Sequence, residues 1–254
     1  MHPADTAERQ GCGGRCGQSL PFDIAMAFQP IIDADSGRVF AHEALVRGVN
    51  GEGAGWVLGQ VNDDNRYAFD QTCRVKAIET AAALGVECRL SVNFLPNAVY
   101  QPETCIRATL DAARRTGFPI DRILFEVTEA EKVDDVGHLR RIIAEYKRQG
   151  FTTAIDDFGA GFSGLNLLAD YQPDFIKIDM LLTRGIDQDK VRRALLSGIV
   201  GACREIGVGV VAEGIETEGE AATLRDMGVN LLQGYLFAKP AFMALAQPAG
   251  FAPA

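Results

Sequence analysis

Val136 to Gly159 reads VGHLRRIIAEYKRQGFTTAIDDFG. Leu139, Ile142, Ile143 and Tyr146 recur at three- and four-residue intervals, which predicts an amphipathic helix over Val136–Gln149. Gly150 suits the left-handed cap that ends such a helix. Thr152–Ile155 then reads as a short buried strand, and it runs out in Asp156 and Asp157. The same unit recurs along the chain. Helical periodicity marks Tyr67–Leu84, Pro102–Thr116, Lys190–Ile206 and Glu218–Met227, closed by Gly85, Gly117, Gly207 and Gly228. Apolar runs fall at Ala25–Ile32, Val39–Val46, Arg89–Phe94, Arg122–Val127, Phe175–Ile178, Val208–Ala212 and Leu231–Leu232. This alternation predicts a parallel sheet. With Thr152–Ile155 the runs number eight, which favours a closed barrel over an open doubly wound sheet. Only Asp33-Ala34-Asp35-Ser36-Gly37 separates the first two runs, a hairpin length, so they are expected to be antiparallel. The fold expected is an α/β barrel of TIM type with one antiparallel strand.

The bulk numbers agree. The chain has 254 residues, 47% of them hydrophobic, and barrels of about 250 residues are ordinary single domains. A net charge of −9 argues against a nucleic-acid polymer or an anionic membrane as partner, but not against a small nucleotide held by a metal. Met1–Gln18 is polar and Gly-rich, with no hydrophobic signal core. The longest apolar stretch, Ser197–Ala212, is broken by Arg204 and Glu205, so a cytoplasmic location is expected. Residues 1–20 read as a flexible Cys/Gly-rich leader and residues 21–254 as the barrel, with a frayed Ala- and Pro-rich tail after Pro240. Cys12 and Cys16 in the leader offer either a metal or redox role or merely two free thiols. Zinc takes about four ligands, and only His2 accompanies them. Cys73, Cys88, Cys105 and Cys203 read as reduced thiols in or near the folded elements.

Chemistry gathers where the buried runs end. Glu43, Asn93, Glu126, Glu129, Asp156, Asp157 and Glu213 all sit at such places, and Lys177 ends another run. Two like charges ~4 Å apart at an effective dielectric of ~20 repel by on the order of 4 kcal/mol. Converging carboxylates therefore need a cation, and hard oxygen donors favour Mg²⁺ or Mn²⁺ over zinc. Each residue also has a plainer reading. Glu43 shares a strand face with Leu45 and Arg47, as a metal ligand beside a phosphate clamp or as one half of a buried ion pair. Asn93 is a ligand or a helix cap. Glu126 lies inside an apolar run and must be paired or ligated. Glu129 is a loop carboxylate or a first-turn helix acid. Asp156-Asp157-Phe158-Gly159-Ala160-Gly161 suits two metals with one bridging carboxylate, or a simple Asp turn. No Lys-Ser/Thr follows, so it is not a P-loop. Lys177, on one face with Asp179, either orients an attacking water or balances the carboxylates. Glu213 suits ligation or general-base work, and Glu216 suits a helix start. Gln233 reads a base edge or a phosphate, or packs. The histidines are His2, His42 and His138 alone. None is placed to serve Ser-His or Cys-His chemistry, so water activated by a metal is the better nucleophile.

In order and spacing, Gln29-Pro30, Glu43-Ala44-Leu45-Val46-Arg47, Asn93, Glu126-Val127-Thr128-Glu129, Asp156-Asp157-Phe158-Gly159, Lys177-Ile178-Asp179, Glu213-Gly214-Ile215-Glu216 and Gln233-Gly234-Tyr235-Leu236-Phe237 resemble the EAL domain family. The likeness runs from about residue 24 to 243. It implies a modified (β/α)8 barrel that hydrolyses cyclic di-GMP to linear pGpG with Mg²⁺ or Mn²⁺, working as a homodimer. It assigns Glu43, Asn93, Glu126 and Asp156 to one metal, and Asp156, Asp157 and Glu213 to a second. Lys177 would touch the nucleophilic water, with Glu213 as candidate general base. Glu129 would secure the loop Phe158–Ser163, and Glu216 would belong to the same catalytic set. Gln29, Leu45, Arg47, Asp179 and Gln233 would touch the dinucleotide. The chain departs from the pattern at Gly48–Ala54, where the family usually shows Trp and Gly-x-Ile-x-Pro, and at Ala160, Phe162 and Gly164.

Overall fold

The computed structural model describes residues 19–128, 136–161 and 164–248. Its strands are β1 (Ile24–Asp33), β2 (Arg38–Gly48), β3 (Arg89–Asn93), β4 (Ile123–Thr128), β5 (Thr152–Phe158), β6 (Phe175–Ile178), β7 (Gly209–Ala212), β8 (Leu231–Leu232) and β9 (Ala241–Phe242). From β2 to β8 each strand is parallel to the next. β1 runs against both β2 and β8 and closes the ring. The result is the expected modified (β/α)8 barrel with one reversed strand. The hairpin that reverses β1 is set locally. Asp33 accepts from the Asp35 N–H at 3.0 Å and from the Ser36 hydroxyl at 2.7 Å, and Gly37 takes the positive φ of 68° that completes the turn.

Helices α1 (Ala54–Leu58), α2 (Arg66–Ala83), α3 (Pro102–Cys105), α4 (Arg107–Thr116), α5 (Val136–Arg148), α6 (Gly164–Tyr171), α7 (Met180–Thr183), α8 (Lys190–Ile206) and α9 (Glu218–Asp226) connect the strands. The five long predicted segments match within a residue or two at their ends. Pro102–Thr116 is the exception, because the chain turns at Ile106 and yields two helices. Ile106 is fully buried there, so packing sets a turn that periodicity does not show. All five glycines expected as helix caps have positive φ. The tail after Pro240 is also corrected. Ala241–Phe242 pairs with β1 at Ala27↔Phe242 instead of fraying.

The core has two compartments. A large one lies between the outer face of the barrel and the helices. A small one plugs the barrel floor with Ile31, Ala41 and Val211, against Phe40, Phe175 and Leu231. Burying such side chains contributes about 1.5–3 kcal/mol each. Because the floor is plugged, the polar end lies at the carboxyl ends of β2–β8, where barrels carry their sites. Four free cysteines lie among the described residues, namely Cys73, Cys88, Cys105 and Cys203, the last two buried. Among those residues no helix is long and apolar enough to cross a membrane.

Packing at the rim is tight at Gly234. A Cβ there would lie 2.0 Å from the Ile215 carbonyl oxygen and 2.3 Å from its nitrogen, both backbone atoms that cannot swing away. Gly234→Ala is expected to cost about 1–3 kcal/mol of stability through overpacking, read from the urea midpoint; an unchanged midpoint would show that the rim can give.

Candidate active site

Strand alternation builds the site. Inward positions of β2, β3, β4, β5 and β6 place Glu43, Ser91 with Asn93, Glu126, Asp156 and Lys177 inside the barrel mouth. Glu213 follows β7, and Gln233 follows β8. Gln29 enters from the reversed strand and pairs in register with Glu43. On β5, Ile155 faces Ile176 while Phe158 faces Ile178, so one extra residue is bulged out. Asp157 sits in this bulge with a φ of 53°, a conformation that costs a non-glycine residue roughly 1–3 kcal/mol and clusters at functional sites. The bulge lets adjacent aspartates both serve the mouth, which also holds Glu43, Glu213, Gln29 and Gln233 around a cavity of about 290 Å³.

Lys177 stands at the centre, its side chain 1% exposed. Its ammonium lies 2.7 Å from Glu213, 2.9 Å from Asp156, 3.1 Å from Glu126 and 3.3 Å from Glu43. Neighbouring polar groups complete the network. Asn93 Nδ2 donates to Glu43 at 3.2 Å, and Gln233 Nε2 donates to the same carboxylate at 2.8 Å. The Ser91 hydroxyl donates to Glu126. One ammonium cannot neutralise so many carboxylates, and the acids respond. Burial, then acidic neighbours such as Glu43 and Asp156, hold Glu126 well above the usual carboxylate range although Lys177 opposes them. Burial raises Asp156 too. It lifts Asp157 to about 6, helped by Asp156 and Asp179, and Glu213 to about 8. Lys177 is pulled down by its own burial, but the surrounding carboxylates outweigh this and keep it above its ordinary value.

Such a set suits a divalent cation. Oxygens of Glu43, Glu126 and Asp156 lie within 4.8 Å of one another, as do those of Asp156, Asp157 and Glu213. Asp156 belongs to both groups. The donors are hard oxygens, which fit Mg²⁺, Mn²⁺ or Ca²⁺. Gln233 Oε1 is buried without a hydrogen-bond partner, as though reserved for a donor on a bound molecule.

The other predicted residues are placed as follows. Leu45 and Arg47 are half-buried on β2 beyond Glu43, and Arg47 donates to the Val46 carbonyl at 2.7 Å. Asp179 caps α7 by accepting from Leu181 N–H at 2.8 Å. Glu216 lies at the edge of the mouth and pairs with Arg184 at 2.6 Å. Glu129, Phe162 and Ser163 lie outside the described residues, as do Cys12 and Cys16. His42 is buried, and burial lowers its pKa. Ser91 and Arg184 are among the mouth residues that carried no expectation. Ser91 was legible, since it lies two residues before Asn93 on the same strand face. Arg184 was not, because it follows a four-residue helix with no periodic signal.

The family model of the EAL domain matches residues 22–240. The chain belongs to the EAL domain family. A standalone versatile EAL protein from Vibrio cholerae, solved in its c-di-GMP bound form, is 54% identical to it with a TM-score of 0.89, over 91% of this chain and 98% of that one. The manganese/cy-diGMP complex of Klebsiella pneumoniae BlrP1 is 33% identical with a TM-score of 0.83, over 92% of this chain and 61% of that one. Two curated relatives come from Escherichia coli. The blue light- and temperature-regulated antirepressor BluF is 32% identical, over 88% of this chain and 56% of BluF. The probable cyclic di-GMP phosphodiesterase PdeD is 30% identical, over 84% of this chain and 40% of PdeD. This EAL chain thus spans about half the length of these curated relatives.

The charge balance of the EAL mouth is testable. Lys177→Met keeps the volume but leaves the carboxylates facing one another. Removing one partner of a buried ion pair typically costs about 3–5 kcal/mol, so the variant should melt well below the parent in chelator and regain much of the loss with millimolar Mn²⁺. Equal melting temperatures in chelator would mean that Lys177 does not hold the cluster together.

Proposed function

We propose that this EAL domain is a metal-dependent phosphodiesterase that hydrolyses cyclic di-GMP to linear pGpG. The observation that carries this reading is the pair of oxygen clusters sharing Asp156 around Lys177. Support comes from relatives that hold c-di-GMP, one of them with manganese, and from PdeD, named a probable phosphodiesterase for that dinucleotide. We assign Glu43, Asn93, Glu126 and Asp156 to one Mg²⁺ or Mn²⁺, and Asp156, Asp157 and Glu213 to another. Such ions supply Lewis acidity toward the phosphodiester and toward water.

The chain's own groups do the rest. Gln29, Leu45, Arg47, Asp179 and Gln233 bind and orient the dinucleotide, Glu129 secures the loop that follows β5, and Glu216 belongs to the same catalytic set. Lys177 holds the attacking water in line and offsets charge developing on the phosphoryl oxygens. The water oxygen bonds to phosphorus as the bond to the ribose oxygen breaks. Glu213, 2.7 Å from Lys177, accepts the water's proton and passes it to solvent, and the departing ribose oxygen takes a proton from solvent and ends as a hydroxyl. Within this proposal residues 21–254 are the catalytic unit, and residues 1–18 of the leader are dispensable for turnover. A cytoplasmic location accords with the four free thiols among the described residues.

Incubation with cyclic di-GMP and Mg²⁺ or Mn²⁺ should yield pGpG, separable by chromatography. Glu43→Ala and Asp156→Asn should reduce turnover to background with circular dichroism unchanged; full rates in either folded variant would remove the metal assignment. Binding without product would instead favour a non-catalytic module, a reading that BluF's description as an antirepressor keeps in view.

We also infer a homodimer. Leu165, Leu181, Val191 and Leu195 are 67%, 62%, 68% and 56% exposed on the consecutive helices α6, α7 and α8, large apolar side chains that a second copy would cover. Leu195→Glu should convert a dimer into a monomer in sedimentation velocity, whereas a monomeric parent would dismiss the idea.

A further inference from the structure

Behind the mouth, on the outer face of the barrel, lies a charged cluster with no part in the chemistry above. Arg74 of α2 has a fully buried side chain, and that of its partner Asp70 is 1% exposed. Arg74 Nη2 lies 2.7 Å from Asp70 Oδ2, and Nη1 donates to the Tyr146 hydroxyl of α5 at 2.6 Å. The guanidinium carbon sits 5.3 Å from the ring centroids of both Phe94 and Phe125 and 5.6 Å from that of Tyr146. These rings also touch one another, Phe94 and Phe125 edge-on at 5.9 Å. A buried ion pair is weak evidence for stability, because desolvation offsets its attraction. Its placement therefore calls for another reason.

The placement follows the ligands. Phe94 is the residue after Asn93, and Phe125 is the residue before Glu126. Successive strand residues point to opposite faces, so gripping the outward phenylalanine fixes the angle of the inward ligand. The backbone is held as well. Asp70 Oδ1 accepts the Leu95 N–H at 2.9 Å, just where the chain leaves β3, and Phe94 N–H donates to the Glu126 carbonyl at 2.9 Å. One cluster thus touches the outer side of both strand ends that present Asn93 and Glu126.

We propose that Asp70, Arg74 and Tyr146 are positioning residues that aim Asn93 and Glu126 at the cation. This rests on the metal assignment above. Supporting groups behind metal ligands typically change affinity or activity by about 10–100-fold.

The test is Mn²⁺ affinity by titration calorimetry, at a temperature where every variant is folded, together with hydrogen exchange at the Leu95 amide. Asp70→Ala removes the acceptor and should weaken Mn²⁺ binding within that range, with faster exchange at Leu95. Asp70→Asn keeps an oxygen for Leu95 and should lose less. Tyr146→Phe keeps the ring and should shift affinity modestly in the same direction, so it decides the matter if the alanine variant does not fold. Leu196→Ala, a buried change on the remote α8, should lower the melting temperature and leave Mn²⁺ affinity alone. Parental Mn²⁺ affinity in the folded Asp70 variants, or in Tyr146→Phe if those do not fold, would overturn the proposal. An affinity loss in Leu196→Ala equal to theirs would reduce the effect to general loosening and overturn it too. A parent chain that binds no Mn²⁺ would remove the metal assignment itself, and the inference with it.

Discussion

One ammonium among four carboxylates governs this molecule's functional end. Lys177 reaches Glu43, Glu126, Asp156 and Glu213 within 3.3 Å from the middle of a barrel. It makes the cluster tolerable without making it neutral. Burial first, and then the neighbouring carboxylates, raise the pKa values of Glu126, Asp156 and Glu213, and a cluster left this acidic suits a divalent cation. A cation that satisfied every acid would have closed the site. A cation too few would have left the strands repelling one another at their shared end.

The barrel's role is to make that compromise rigid. Apolar side chains plug its floor, so the acids have nowhere to retreat, and the parallel ladder sets their relative heights. The bulge in β5 is a local irregularity in the ladder, as is a second one at Ile31/Ile32 on β1. It spends backbone strain at Asp157 to bring a second aspartate to the mouth, a use of strain typical of functional positions.

Much of this was legible in the sequence because its signals are local. Glycine caps and three- and four-residue apolar spacing locate the long helices, and Asp33–Gly37 announces the reversed strand. Acids at the ends of apolar runs mark the mouth, since a carboxylate at such a place must be compensated. What was not legible depends on distant partners. Nothing near Ile106 in sequence shows that burial will break its helix. Ala241–Phe242 becomes a strand only because β1 presents an edge. Lys177 read equally as balancing charge or orienting water, and neither reading shows that it lies within 3.3 Å of carboxylates from four separate segments. Arg74 gave no sign of its aromatic enclosure, because Phe94, Phe125 and Tyr146 come from three different segments.

The closure between β8 and β1 has its own consequence. Among the described residues those strands share backbone pairing only at Ile32↔Leu232 and Asp33↔Leu231, low in the wall. Higher up, β1 pairs by backbone with β9 instead, at Ala27↔Phe242, and its contacts with the segment just past β8 are made by side-chain amides: Gln29 donates to the Ala238 carbonyl at 3.1 Å, and Gln233 donates to Gln29 at 3.4 Å. The cylinder is therefore stitched by peptide groups below and laced by exchangeable amides at its lip. At this lip a bound molecule meets side-chain amides, which exchange partners more readily than the peptide ladder beneath.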